Sequence, residues 1–385
     1  MFNIGYLKIN RNKDYCSLKY SINNKSQNIY KQILESQFQD IKKYINYSRS
    51  GILLYEKNLV YSKNPKISVI IALYNGELFI NATLKSVQNQ KMSEIEIIII
   101  DDFSTDNSPK YIEQAKKIDP RIILLRNNKN MGCLYSKALA LLKSKGKYIF
   151  LIDDDDLLVT DDLFDILFEE MEKTNIDIIE YKWIVSKKFE IEKNSVIKKP
   201  YCRHDINQVL VQPELRIRFS RGKNHKFEFQ DRYIWGRIIK RDLYLKAIVA
   251  IGQEDLKRRI IIHDDTIITF FLFKFGKSFK KIDKIGLVHF DHNKSASMRL
   301  SKGNINDRCI SYINYLELLF KHSENNSLSR EDFFNEFKIW SIKSNCKILN
   351  ITKERQINLA KQLYYDPLIN ITNKFTIKNV FGPFN

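Results

Sequence analysis

Four consecutive carboxylates, Asp153, Asp154, Asp155 and Asp156, follow directly on the apolar run Tyr148-Ile149-Phe150-Leu151-Ile152. Neighbouring like charges repel, and ordinary folding gives no reason to collect them at the end of an apolar run unless a cation neutralises them. Oxygen-only ligands suit Mg²⁺ or Mn²⁺, and Mg²⁺ characteristically takes one or two carboxylates together with the phosphates of its substrate. The competing reading is a solvated acidic turn capping a helix that starts near Asp161, because acids are favoured at helix N-termini. A second pair, Asp264-Asp265, stands ahead of the apolar positions Ile267, Ile268, Phe271 and Phe275. Adjacent carboxylates raise each other's pKa, which suits a general base near neutral pH, whereas capping a helix is the commoner use of such a pair. His263, His289 and His292 invite a metal reading, with ordinary surface histidines as the alternative.

Chemistry of this kind needs its acids held at one edge of a rigid scaffold. The run before Asp153 is rich in aromatic and β-branched residues, is too short for a core helix and follows Gly146. It therefore reads as a buried strand with the acids at its C-terminal end. Residues 67–73 form another such strand, followed by the turn Asn75-Gly76 and a helix that turns Ile80, Leu84 and Val87 inward. Residues 95–100 make a strand ending in Asp101-Asp102, then a helix with Ser108 at its N-cap and Pro109 at its first position. Residues 121–126 make a third strand, and Leu134, Ala138 and Leu141 mark the next helix. A helix with Leu163, Ile166, Leu167 and Met171 and a strand over 176–181 continue the alternation. Strands alternating with helices imply right-handed βαβ crossovers and a mostly parallel, Rossmann-like sheet flanked by helices, an α/β fold. Ligands bind outside the carboxyl ends of such strands, which gathers Tyr74, Asp101, Asp102 and the acids 153–156 on one pocket. Neither a G-x-G-x-x-G nor a P-loop pattern occurs at the first strand–helix turn, which weighs against a dinucleotide oxidoreductase or a P-loop nucleotidase.

The 385 residues provide for one large domain or two smaller ones. A net charge of +19 suggests an anionic partner, but the lysines and arginines are scattered from end to end, so a nucleic-acid footprint is not expected. Five cysteines, at 16, 133, 202, 309 and 346, include no C-x-x-C pair and fit reduced thiols in a cytosolic compartment. No signal peptide opens the chain, and no apolar run approaches the roughly 20 residues that span a bilayer. The expected location is cytoplasmic, with any membrane contact peripheral.

Several motifs then agree in order and spacing: Ile67-Ser68-Val69-Ile70-Ile71-Ala72-Leu73-Tyr74-Asn75, Ile100-Asp101-Asp102-Phe103-Ser104-Thr105-Asp106, Asn130-Met131-Gly132, and Gly146-Lys147-Tyr148-Ile149 leading into the four acids. Together they resemble the family 2 glycosyltransferases of GT-A fold, over residues 65 to about 160. The resemblance implies a metal-dependent, inverting glycosyltransferase of hexosyltransferase type. It would move a sugar from a nucleoside diphosphate sugar, a UDP-sugar by preference, to a hydroxyl of a glycan, lipid-linked or protein-linked acceptor. By the same pattern Ala72 and Tyr74 line the nucleobase pocket beside Asp101, and Asp102 bonds the base. Asp153 and Asp155 are the D-x-D metal pair, Asp155 the stronger candidate, and Asp154 faces the donor's ribose or sugar. Many members carry Arg-Asn in the helix after the Asn-x-Gly turn, where this chain has Lys137-Ala138; lysine keeps the charge at the donor without the forked geometry. The stretch Trp235-Gly236-Arg237-Ile238-Ile239-Lys240-Arg241 resembles an acceptor-side tryptophan and its basic continuation. Members usually show Glu-Asp where this chain has Asp264-Asp265, so Asp265 is the implied base and Asp264 the second candidate. His289 or His292 would touch the donor's diphosphate, ahead of a Ser-rich turn that residues 293–297 resemble.

Four regions are expected. Residues 1–64 form an N-terminal extension with a packing helix over 26–45 and one strand or a hairpin arm over 51–60, 65–183 the nucleotide-sugar half, 184–299 the acceptor half, and 300–385 a helical region. Stripes at Ile310, Ile313, Leu316, Leu319 and Phe320, and at Phe333, Phe334, Phe337, Trp340 and Ile342, read as core packing. Aromatic residues with lysines also suit a membrane surface presenting a lipid-linked acceptor, the second reading of this region. Two other functions compete with sugar transfer: an inactive sugar-nucleotide binder that has lost its base, and a basic nucleic-acid-binding protein, which leaves the acids unexplained. Oligomeric state is left open.

Overall fold

A computed structural model of the chain describes residues 62–186, 209–211, 233–290, 292, 305–323, 333, 350–367, 369, 374 and 378. The expected helix over 26–45, the strand or hairpin arm over 51–60, the turn at 293–297 and the stripe beyond Phe333 lie outside these residues.

The first strand, β1 (Ile67–Leu73), pairs in parallel with β2 (Ile95–Asp101) on one side and β4 (Tyr148–Leu151) on the other. Beyond β2 lies β3 (Ile122–Arg126), again parallel. The crossover helices are α1 (Ile80–Gln88), α2 (Ser108–Ile118) and α3 (Cys133–Lys143). After β4 come the short β5 (Leu157–Leu158), α4 (Leu163–Thr174), β6 (Ile178–Ser186) and β7 (Val209–Val211). The second half of the sheet adds β8 (Arg237–Lys240), α5 (Arg241–Ile251), α6 (Gln253–Leu256), α7 (Asp264–Phe275) and β9 (Ser278–Phe290). One sheet results, in the order β3-β2-β1-β4-β8-β6-β9-β5, with β7 also on β9. β8 runs antiparallel to both β4 and β6, and β9 is parallel to β6.

Alternation along the strands sorts the core into two layers. Val69, Ile71, Ile97 and Ile99 face α1, α2 and α4 through Leu84, Ile112 and Leu167. Ile70, Ile98 and Ile100 face the opposite layer, where α3, α5, α7 and the C-terminal helices α8 (Ile305–His322) and α9 (Asn350–Tyr365) pack. Both faces being covered is why these strands read as unbroken apolar runs. Each buried isoleucine contributes roughly 1.5–3 kcal/mol, so the sheet is a stiff base for whatever its edge carries.

Two details depart from expectation. The N-cap of α2 is Asn107, not Ser108, and it makes no side-chain cap bond. Ser108 Oγ instead accepts from Gly76 N at 3.1 Å and is hydrogen-bonded to Asp106, so the loop's own bonds outcompete capping. Cys309, 1% exposed on α8, is disulfide-bonded, against the expectation of reduced thiols; Cys133 is free. Spacing alone gives no signal for pairing between distant cysteines. No described helix is long and apolar enough to cross a membrane.

Candidate functional site

Strand direction decides what meets at the sheet's edge. β1, β2 and β4 end together, Leu73 opposite Asp101 and Ile70 opposite Leu151. β6 and β9 run the same way as β4, so Phe290 reaches that edge, while antiparallel β8 begins there, just after Trp235-Gly236. Tyr74, Asp102, the four acids, Trp235 and His289 are thereby delivered to one side.

The first two turns are stitched together. Asn75, at φ 53°, donates its N–H to Ser104 Oγ at 2.9 Å and accepts from Thr105 N at 2.8 Å on its side-chain oxygen. Tyr74 is exposed at the lip and Ala72 is half-buried beneath it. Asp101 accepts from Ser104 N at 2.9 Å and pairs with Arg126 Nε at 3.1 Å. Asp102 is 4% exposed and accepts three bonds, from Asn127 Nδ2 at 2.7 Å and from the N–H groups of Met131 and Gly132 at 2.8 Å each. Its carboxylate therefore anchors the Asn-x-Gly turn. Asp154 leans toward Gly76, where a Cβ would come within 2.3 Å of its Oδ2, so only glycine permits that approach.

Asp153, Asp155 and Asp156 each offer a carboxylate oxygen, all within 4.8 Å of one another. Burial pushes the pKa of Asp153 well above the usual carboxylate range, with Lys137 opposing, and raises that of Asp156, with His289 opposing. His289 Nδ1 lies 2.9 Å from Asp156 Oδ1, and His292 Nε2 lies 2.8 Å from Asp155 Oδ2. Burial disfavours charge on the His289 ring, but Asp156 outweighs it and the pKa rises to about 9. Asp156 Oδ2 is buried without a hydrogen-bond partner among the described residues. Clustered carboxylates with an orphaned oxygen and a neighbouring imidazole fit a hard divalent cation such as Mg²⁺ or Mn²⁺. Outward from the acids, Trp235 stacks on His289 at 4.5 Å between centroids, and Trp183 and Tyr233 flank it.

Asp264 and Asp265 open α7, and neither caps it, since the cap position is His263 and no side-chain cap bond forms. Both turn to Lys137, whose Nζ donates to Asp264 Oδ2 at 2.8 Å and Asp265 Oδ1 at 2.7 Å and lies 3.8 Å from Asp153 Oδ1. Burial lifts the Asp264 pKa to about 6, Lys137 working against the rise and Asp265 adding to it. Burial works against the charge of Lys137, but Asp264, Asp265 and Asp153 together hold its pKa well above the usual value. The chain enters this pair through His263 at φ 66°, its ring stacked on Tyr315 of α8. Ser311 Oγ accepts from Ile261 N at 2.9 Å and Ile262 N at 3.2 Å, and Asn314 Nδ2 donates to Arg259 O at 3.2 Å. Arg259 in turn reaches Asn130 of the Asn-x-Gly turn and pairs with Asp307. Gly132, at φ 91°, lies so near Ile260 that a Cβ would stand 2.6 Å from its carbonyl oxygen.

Residues 68–244 match the family described as glycosyl transferase family 2. The chain is 32% identical over 189 residues to the UDP-Glc:alpha-D-GlcNAc-diphosphoundecaprenol beta-1,3-glucosyltransferase WfaP of Escherichia coli, covering 46% of this chain and 71% of that protein. This chain belongs to glycosyltransferase family 2. It is also 26% identical over 234 residues to the uncharacterized glycosyltransferase EpsJ of Bacillus subtilis (strain 168), covering 60% of this chain and 62% of that protein. The chain thus spans less than two thirds of the length of that curated relative. The crystal structure of S. aureus TarS 1-349 in complex with UDP-GlcNAc superposes with a TM-score of 0.54, covering 82% of this chain and 91% of that one. At 14% identity that likeness shows the fold alone, and the expected GT-A, mostly parallel α/β architecture stands.

Against this family-2 frame, the structure brings Asp153, Asp155, Lys137, Asp264 and Asp265 into one cluster, while Ala72, Tyr74, Asp101 and Asp102 sit along the neighbouring strand ends. Asp156, joined to His289, was unassigned in the sequence, where it was simply the last of four acids. His292 against Asp155 had a faint signal, as one of the histidines that invite a metal reading. The α8 contacts to 259–262 had none.

Proposed function

We propose that the chain is a metal-dependent inverting glycosyltransferase that moves a hexosyl group from a nucleoside diphosphate sugar, UDP-sugars favoured, to a hydroxyl of a glycan or lipid-linked acceptor. The observation that carries this reading is a single cluster in which Lys137 links the acids at the end of β4 to Asp264-Asp265 at the start of α7. Residues 65–183 would hold the donor, with Ala72 and Tyr74 at the nucleobase, Asp101 and Asp102 supporting its pocket, and Asp154 toward the ribose or sugar. Residues 184–299 would receive the acceptor. Asp153, Asp155, Asp156 and His292 would hold Mg²⁺ or Mn²⁺, which supplies positive charge for the departing diphosphate.

Asp265 takes the proton of the acceptor hydroxyl as that oxygen bonds to the anomeric carbon. The bond from that carbon to the β-phosphate oxygen breaks, and its electron pair leaves on the nucleoside diphosphate. Attack opposite the leaving group inverts the anomeric centre. His289, paired with Asp156, stiffens the wall between the acids and Trp235, on the side where an acceptor approaches. The lipid-linked acceptor named for WfaP supports an acceptor presented at a membrane surface, which calls only for peripheral contact.

The test is a panel of UDP-, GDP- and TDP-sugars offered with Mn²⁺ or with EDTA, reading nucleoside diphosphate release. Release from one nucleotide class that stops in EDTA supports the reading. Release that is insensitive to EDTA overturns the metal dependence, and no release from any donor, with or without a lipid-linked glycan acceptor, overturns the transfer itself.

A further inference from the structure

Lys137 occupies the position at which a donor-binding cation is expected, yet its geometry serves a different partner. Its ammonium is within 2.8 Å of Asp264 and 2.7 Å of Asp265 but 3.8 Å from Asp153, the only donor-side acid it approaches among the described residues. Lys137 is 5% exposed, on the buried face of α3. The geometry points to Lys137 as a positioning residue for the base, a strut from α3 that fixes the Asp265 carboxylate beside the reacting carbon, and not as a ligand of the donor's diphosphate. This inference rests on the sugar-transfer reading above and assigns a task within that site.

Two observations support it. The α7 N-terminus uses neither aspartate as a cap, so no capping bond orients their side chains. The backbone leading into them is bonded to Ser311 and Asn314 of α8 and to Leu134 of α3, contacts that fix the main chain and not the two carboxylates. Without Lys137, the Asp265 carboxylate loses the 2.7 Å hydrogen bond that holds it, and beside a charged Asp264 it is also repelled. An ammonium is a compact point charge, and here it sits between two carboxylates at once.

The experiment measures kcat, donor KM, calorimetric binding of the nucleoside diphosphate with Mn²⁺, and melting temperature for Lys137→Met and Lys137→Arg. Lys137→Met joined to Asp264→Asn, which removes one charge of each sign, covers the case in which the single variant does not fold. A base displaced by about 1 Å loses about 100-fold in rate. The expected result is therefore a kcat down by about that factor in Lys137→Met and in the double variant, with donor KM and nucleotide affinity within about twofold of wild type. Lys137→Arg should recover part of kcat without changing KM. Nucleotide affinity falling tenfold or more with kcat at saturating donor preserved would make Lys137 a donor ligand and overturn the inference. A lowered melting temperature with kcat and KM both unchanged would make it structural and overturn it equally. Asp155→Asn, run alongside, separates the two readings. If it is inactive while Lys137 behaves as a donor ligand, only the present inference fails; if it is fully active, the metal reading fails.

Discussion

Replacing Asp265 by Asn changes one property of the site and little else. The amide keeps the carboxylate's shape, and its oxygen can still accept from Lys137, which now bonds Asp265 Oδ1 at 2.7 Å. It cannot take a proton from an acceptor hydroxyl. Loss of a general base costs about two to four orders of magnitude, or about 3 to 5 kcal/mol of barrier. Stability should change by less than about 1 kcal/mol, because Asp265 is only half-buried, makes no cap bond and leaves Asp264 to neutralise Lys137. Donor binding should persist, since the side chain lies across Lys137 from the acids at the end of β4. The assay is transfer rate at saturating donor, with nucleotide affinity by calorimetry and melting temperature on the same samples. Asp264→Asn is the control and should cost less than about tenfold in rate, because a second-rank carboxylate is not the proton acceptor. A transfer rate within tenfold of wild type for Asp265→Asn, or equal mild losses at both positions, would refute the base assignment.

Asp102→Ala strips three donors of their acceptor, so it should lower stability by a few kcal/mol at about 1–3 for each buried group left unpaired, and weaken nucleotide binding more than kcat. Thermal melts and donor KM check this. Ser311→Ala unties the N–H groups of Ile261 and Ile262, and should reduce kcat by about tenfold while calorimetry shows donor affinity unchanged. Buried Asp119 has its pKa lowered; burial opposes its charge, but the bidentate pairing with Arg121 wins. Its stabilising contribution is present above the unfolded carboxyl pKa of about 4 and is lost as pH falls through the lower folded value. Asp119→Asn should therefore lie below wild type in stability by a constant margin above about pH 5, and the gap should close in urea melts taken progressively below about pH 4.

The first half of the fold was open to reading because each strand there is an unbroken apolar run, the signature of a sheet covered on both faces. β8 was not. Arg237 and Lys240 bracket it, and its four residues look like exposed basic chain. In the sheet Arg237 is 1% exposed, paired through Nε and Nη2 with Glu180 at 3.0 Å, and the two are 57 positions apart. β9 was hard to read, because Lys280, Lys281, Asp283 and Lys284 interrupt the apolar pattern; the three lysines find acidic partners elsewhere in the chain, and Asp283 pairs with Lys182. The site divides the same way. Adjacent acids announce themselves, and motif order carried Asp153, Asp155 and Asp265. The contact between Lys137 and Asp264 spans 127 positions, and the pairing of His292 with Asp155 depends on β9 running parallel to β6, which no local pattern states.

Most direct of all is a titration of Mn²⁺ against turnover with a saturating nucleoside diphosphate sugar, run on wild type and on Asp155→Asn. Asn removes a charge from the cluster in which Asp153, Asp155 and Asp156 lie within 4.8 Å, without changing its shape. The account predicts wild-type turnover that rises from zero with Mn²⁺ and saturates, and an Asp155→Asn protein with wild-type melting behaviour that stays inactive at every concentration. Turnover by Asp155→Asn near the wild-type rate, or wild-type turnover unchanged after exhaustive chelation, would contradict it.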